Sequence, residues 1–238
     1  MKNIILILYF MLIPLFVQAE EKLRVGLFNI VPYAYLDKGK LTGITYDIIQ
    51  NIEKELNIPI EVQLLPYKRM LIDLELGKID FAIFFLSDQS ASFSEKLIAM
   101  YDLETVIFGK KNLKILTHDD LLSLHLATPL GVNYNAKLTK EKQLNITRVR
   151  DYQNAIFMLE YDNIDAIIAP KEIIKYQLKL LNMSLAEFGE PYILTTNTAW
   201  IQFSNKSLKH EYKDVLRDSA DKLLKSGKID AIIQKYYK

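Results

Sequence analysis

The chain has 238 residues, 50% hydrophobic and 25% charged, with 30 basic residues against 29 acidic ones and no cysteine. The near-zero balance leaves no electrostatic footprint for nucleic acid or an anionic membrane surface. The lack of cysteine excludes disulfides, so stability has to come from an apolar core.

Met1-Lys2-Asn3 is a short basic segment, Ile4 to Phe16 an apolar run, and Val17-Gln18-Ala19 a small-x-small cleavage site. This is the pattern of a secretory signal peptide over residues 1–19. The run is shorter than the roughly 20 residues a membrane span needs, and no cysteine follows it to carry a lipid anchor. The mature chain is therefore expected to start at Glu20 and to be soluble. Its length suits one large domain or two lobes of about 100 residues.

From Leu23 the chain reads as a short β-run, then a loop at Pro32-Tyr33-Ala34-Tyr35, a turn from Gly39 to Gly43, and a helix. Ile48, Ile49, Ile52 and Leu56 form that helix's apolar stripe, which ends near Asn57-Ile58-Pro59. Ile60 to Leu65 reads as a strand, and Met70, Leu71 and Leu74 mark a helix stopped by Gly77. Thr117-His118-Asp119-Asp120 predicts a capped helix running through Leu124. Ile173, Ile174, Gln177, Leu178 and Leu181 form another helical face. A long helix from about Ser207 to Leu224, Gly227 and a short helix to Tyr236 close the chain.

Two stretches echo one another. Leu74 to Ile83 and Leu159 to Ile168 each read as a helix end, a turn at Gly77 or Asp162-Asn163, and a strand of near-continuous apolar residues. Such a strand suits a sheet covered by helices on both faces. The alternation predicts an α/β chain of two lobes, each a mostly parallel sheet flanked by helices. Residues 20–107 and 201–238 would form lobe 1 and residues 108–200 lobe 2. Hinge strands near 105–110 and 197–203 would make two β-crossovers that limit motion to clamshell bending.

Taken in order, Pro32-Tyr33, Gly43 with Asp47, Gly77-Lys78-Ile79-Asp80, Gly131-Val132, Ile164-Asp165-Ala166 and Gly227 to Tyr236 resemble the bacterial extracytoplasmic solute-binding proteins of family 3. The likeness covers residues 23–236 and implies a type II periplasmic-binding-protein clamshell. It further implies a periplasmic monomer that hands a small-molecule ligand to an ABC permease, with no cofactor, no metal and no nucleic acid. The chain departs from the family's amino-acid binders. Their carboxylate-clamping Arg falls here at Ser92, and their amine-holding Asp falls at Pro170. A guanidinium–carboxylate pair is not replaced by hydroxyls without losing most of its charge-assisted energy. A small polar or aromatic solute is therefore expected in place of a standard α-amino acid.

In doubly wound lobes, ligands sit outside the carboxyl ends of the strands. That rule selects Asn29, Tyr33 and Tyr35 after the first strand, Phe84, Phe85 and Ser87 after the strand ending at Ile83, and Gly131, Val132 and Asn133 before a helix. Free backbone N–H groups at that helix start would hold an anionic or carbonyl group. Pro66-Tyr67-Lys68-Arg69 resembles a Pro-aromatic-x-Arg element of a less-characterised branch of the family, and places Arg69 against an acidic group or on the surface. Tyr33, Tyr67 and Phe84 would wall a flat solute, with Trp200 on the second crossover.

Catalytic patterns are thin. His118, His125 and His210 lack metal-ligand spacing, and Ser219-Ala220-Asp221-Lys222 lies in the terminal amphipathic helix without companion motifs. A solute-binding protein is the leading reading. A periplasmic enzyme of the same fold, resembling cyclic-acid dehydratases, and a stand-alone ligand sensor are the alternatives.

Overall fold

The computed structural model describes residues 22–130 and 144–237. The expected signal peptide and the turn Gly131-Val132-Asn133 lie outside them. The first half opens with β1 (Leu23–Phe28), a small hairpin of β2 (Tyr35–Asp37) and β3 (Lys40–Thr42), and α1 (Ile44–Leu56). It continues with β4 (Ile60–Leu65), α2 (Tyr67–Glu75), β5 (Phe81–Phe85) and the short α3 (Asp88–Ala91). The long strand β6 (Ser94–Gly109) leads into the second half, with β7 (His125–Pro129), β8 (Asn145–Val149), α4 (Tyr152–Glu160), β9 (Ala166–Pro170) and α5 (Lys171–Leu180). Strand β10 (Tyr192–Ser204) returns to the first half, closed by α6 (Lys213–Lys225) and α7 (Lys228–Lys235).

The strands form an eight-stranded sheet in the order β4-β1-β5-β10-β6-β9-β7-β8. β1 runs parallel to β4 and β5, and β7 parallel to β8 and β9, while the β6–β10 pair is antiparallel. β10 pairs with β5 over Ala199–Phe203, and β6 pairs with β9 over Thr105–Gly109. Between those stretches only Asp102–Glu104 and Thr196–Thr198 face one another. The halves are joined there by a bare two-stranded ribbon. The extended runs expected at 105–110 and 197–203 are pieces of these much longer strands, and they do not lie opposite each other.

Each half buries its strands between two apolar layers. On β5, Phe81 and Ile83 enter the core under α1, α6 and α7, whereas Ala82 and Phe84 join Met70, Leu71 and Leu74 of α2. Helix α1 inserts Ile44, Ile48, Ile49 and Ile52, all fully buried, each contributing about 1.5–3 kcal/mol of transfer energy. In the second half, Val106 and Phe108 pack with α4 and α5, and Ile107 and Ile168 pack on the opposite face.

Local differences from the sequence reading have plain causes. Residues 119–123 form a 3-10 turn, because the Asp120 carboxylate accepts the Leu116 and Thr117 N–H groups and closes the segment on itself. The terminal helix starts at Lys213 after a 3-10 turn at His210–Tyr212, later than expected, since Ser207 turns inward to donate to Asp80.

Candidate functional site

β5 reaches the ribbon with its carboxyl end at Phe85, opposite Ala199, and β9 reaches it with Pro170, opposite Thr105. The carboxyl ends of β1, β4 and β5 of one half therefore point toward the carboxyl ends of β7 and β9 of the other. That is where an open α/β sheet takes its ligand.

One wall is aromatic. Pro66 sets an extended entry into α2 (φ −58°, ψ 144°) and places Tyr67 directly beyond β4. The Tyr67 ring stands edge-on to Phe28 at 5.5 Å and to Phe84 at 6.4 Å. Phe84 is buried, while Tyr67 remains 43% exposed and presents ring surface to solvent. Trp200 pairs with Phe84 across β5 and β10 and carries the Lys96 ammonium 4.8 Å above its ring. Phe85 points to the other face and packs against the first core.

The polar candidates are more committed than the sequence implied. Arg69 Nε donates to Asp73 Oδ2 at 2.8 Å, so the guanidinium is tied along its own helix to a buried carboxylate. Ser87 caps α3: its hydroxyl accepts the Ser90 N–H while Ser90 Oγ accepts the Ser87 N–H. Ser92 ends that helix, donating to the Gln89 carbonyl. Asn29 is exposed, with its N–H on the Leu65 carbonyl.

Tyr33 is not with Tyr67 and Phe84. It lies on the opposite face of the sheet, 5% exposed, stacked at 6.2 Å on Tyr101 of β6. There a second, polar group assembles that the sequence reading missed. Helix α5 starts immediately after β9, and Glu172 in its first turn reaches toward Tyr33, Tyr101 and Tyr237 around a cavity of about 40 Å³. Burial pushes the Glu172 carboxyl above its ordinary range, and the Tyr101 hydroxyl up to about 12. Glu172 Oε2 is buried without a hydrogen-bond partner, while the buried hydroxyls of Tyr33 and Tyr237 interact with one another. Around them α5 crosses to the first half: the Tyr176 and Tyr35 hydroxyls are 3.0 Å apart, and Lys171 pairs with Glu104 at 2.7 Å. A first-turn Glu is ordinary in sequence, because the helix dipole favours it. Nothing local marked this one as buried.

A larger cavity of about 420 Å³ belongs to the second half alone, floored by Val106, Phe108, Ile174 and Phe188 and rimmed by Lys111 and Lys175. Among the described residues no group of three potential metal ligands occurs. Of the histidines, His125 shares a hydrogen bond with Thr147, and His210 lies against the Phe203 ring.

The model of the bacterial extracellular solute-binding proteins, family 3, matches residues 23–238. The chain belongs to that family. It is 23% identical over 216 residues to the probable amino-acid-binding protein YxeM of Bacillus subtilis, covering 87% of this chain and 80% of that one. It is 25% identical over 211 residues to the L-cystine-binding protein TcyJ of Escherichia coli, covering 84% and 76%. Among solved structures, an ancestral cationic amino acid solute-binding protein matches with a TM-score of 0.74 at 19% identity, over 91% of this chain and 96% of that one. A histidine kinase sensor domain with similarity to periplasmic binding proteins matches at 0.69 and 16% identity, over 92% and 97%. These likenesses show the two-lobed α/β fold of family 3. Among the described residues no helix is long and apolar enough to cross a membrane.

Proposed function

We propose that the chain is an exported, monomeric periplasmic member of family 3 that captures a small polar or aromatic solute between its lobes for an ABC importer. The observation that carries this reading is the half-exposed Tyr67 ring, braced by Phe28 and Phe84 at the carboxyl ends of three strands. Asn29 and Ser87 follow the strands behind that wall and Trp200 pairs with Phe84 beside it, and Gly131, Val132 and Asn133 would supply backbone N–H groups from the other lobe. Arg69 would serve an acidic solute by exchanging Asp73 for it.

Standard α-amino acids are disfavoured, although the relatives are named for them. Ser92 and Pro170 stand where the charged clamps of the resemblance would be. Of the five arginines, Arg24, Arg69, Arg150 and Arg217 each pair with a carboxylate of this chain.

The enzyme reading gains from Glu172, a partly buried carboxyl beside Tyr33, Tyr101 and Tyr237 that desolvation holds above its ordinary range. Mass spectrometry of the solute that co-purifies with the protein separates the two. A binding protein returns the solute unchanged after prolonged incubation, and conversion to a product would establish the enzyme.

A further inference from the structure

We propose that the cavity of about 420 Å³ in the second half is a second binding site, separate from the cleft, for a small organic anion with an aromatic body. Every residue that lines it belongs to the second half, so it shares nothing with the Tyr67 wall and is complete without closure of the lobes. Small-molecule sites span about 300–1,000 Å³, whereas packed interiors leave few voids larger than a water.

The floor is apolar. Val106 and Phe108 of β6 and Ile174 of α5 are buried beneath the cavity, and Phe188 packs on Phe108 with ring centres 4.7 Å apart. The facing wall, residues 185–191, is fastened on both sides. The Ser184 hydroxyl accepts the Ala186 N–H, and the Gly189 N–H donates to the Gly109 carbonyl at 3.0 Å. A side chain at Gly189 would meet the Lys110 carbonyl oxygen at 2.9 Å, so glycine lets the wall close on the end of β6. These ties fix the wall at its distance from α5. Leu185 on that wall is 42% exposed, and a ring seated in the cavity would take it out of water.

The mouth is cationic. Lys171 and Lys175 stand four residues apart on one face of α5, and Lys111 enters from the chain after β6. Lys171 is already held by Glu104 at 2.7 Å. Lys175 Nζ comes only within 3.9 Å of Glu172 Oε1, beyond hydrogen-bond reach, and Lys111 has no carboxylate partner among the described residues. Glu190 is the one acid among the described lining residues. Lys111 and Lys175 are therefore left to receive a carboxylate, and their stems extend the apolar surface that would meet its ring.

Calorimetry with naphthoate, neutral naphthamide and acetate tests the site, beside small-angle scattering of the protein saturated with naphthoate. Naphthoate should bind, naphthamide should bind roughly tenfold more weakly, and acetate, which lacks a body, should not bind. Lys111→Gln and Lys175→Gln should each weaken naphthoate by about twofold to fivefold, the range of a partly exposed ion pair. Ala186→Trp, which fills the cavity from its wall, should abolish binding. These variants should keep the far-ultraviolet spectrum of the parent chain. Tyr67→Ala should bind naphthoate as the parent does, and naphthoate should leave the radius of gyration unchanged. Equal binding of naphthoate and naphthamide would overturn the proposal, as would parent affinity in a folded Ala186→Trp or no naphthoate binding at all. Should Ala186→Trp not fold, the Lys111→Gln, Lys175→Gln double variant decides, with roughly tenfold loss expected and parent affinity overturning the site. Loss of naphthoate binding in Tyr67→Ala would place the anion in the cleft, overturning the second site and leaving the binding role of the cleft standing.

Discussion

Asp80 and Asp165 make the same pair of contacts in the two lobes. Asp80 Oδ2 accepts the Arg24 N–H at 2.8 Å, and the Asp80 N–H donates to the Arg24 carbonyl at 2.7 Å. Asp165 Oδ2 accepts the His125 N–H at 2.7 Å, and the Asp165 N–H donates to the His125 carbonyl at 2.8 Å. Each aspartate follows a helix end, a turn with positive φ at Gly77 or Asp162, and a buried Ile, and each ties its strand to a parallel neighbour. The sequence echo between residues 74–83 and 159–168 is thus a repeated structural device.

The two aspartates should differ in weight. Asp80 is fully buried, and its carboxylate also binds the Arg24 guanidinium and the Ser207 hydroxyl, with Lys209 at 3.7 Å. Asp165 is exposed. Asp80→Asn should cost about 3 kcal/mol or more, and Asp165→Asn about 1 kcal/mol, read as urea midpoints at neutral pH. Burial opposes ionisation of Asp80, but the hydrogen bonds from Arg24 and Ser207 outweigh it and hold the carboxyl below its ordinary range. Its stabilisation should therefore be complete above the unfolded value of about 3.9 and be lost as pH falls through the lower folded value. Asp80→Asn should flatten that acid limb.

Tyr67→Ala should leave stability nearly unchanged and weaken an aromatic solute by up to about tenfold, the loss of one ring contact. Phe84→Ala, which opens a cavity in the buried layer, should cost about 3–5 kcal/mol. Chemical denaturation beside calorimetry separates the two effects. A large stability loss in Tyr67→Ala would make that ring structural.

No standard α-amino acid should bind tightly. A carboxylate or ammonium left desolvated without its partner costs several kcal/mol, and each 1.4 kcal/mol is tenfold in affinity. The carboxylate clamp that the resemblance would place at Ser92 has no basic counterpart on α3. Sub-micromolar binding of any of the twenty in a calorimetric screen would contradict this.

Export should remove residues 1–19. Intact-mass measurement of the periplasmic fraction is expected to give Glu20 as the first residue, and retention of full-length chain in membranes would exclude that processing.

The alternation of strands and helices, the α1 stripe and the repeated turn were legible because each is a local pattern with a fixed period. The ribbon was not. Ser94, Glu95, Lys96, Asp102 and Glu104 give the first two-thirds of β6 the look of a polar loop, and it is a strand because β10 pairs along it from Ser204 to Tyr192. Arg69 was legible as a cleft candidate from its motif, but its bond to Asp73 depends on which face of α2 is buried. Tyr33 and Tyr67 were grouped as one wall. Their separation depends on the sheet lying between them.

Capture of a solute by closure about the Asp102–Glu104 and Thr196–Thr198 ribbon should be visible in small-angle scattering. The protein is measured alone and at saturation with the solute recovered from it or found by calorimetry. At 100 times the dissociation constant that solute should also add about 2.7 kcal/mol to stability by mass action. The bound protein should have a smaller radius of gyration than the free one. An unchanged radius at saturation would contradict it.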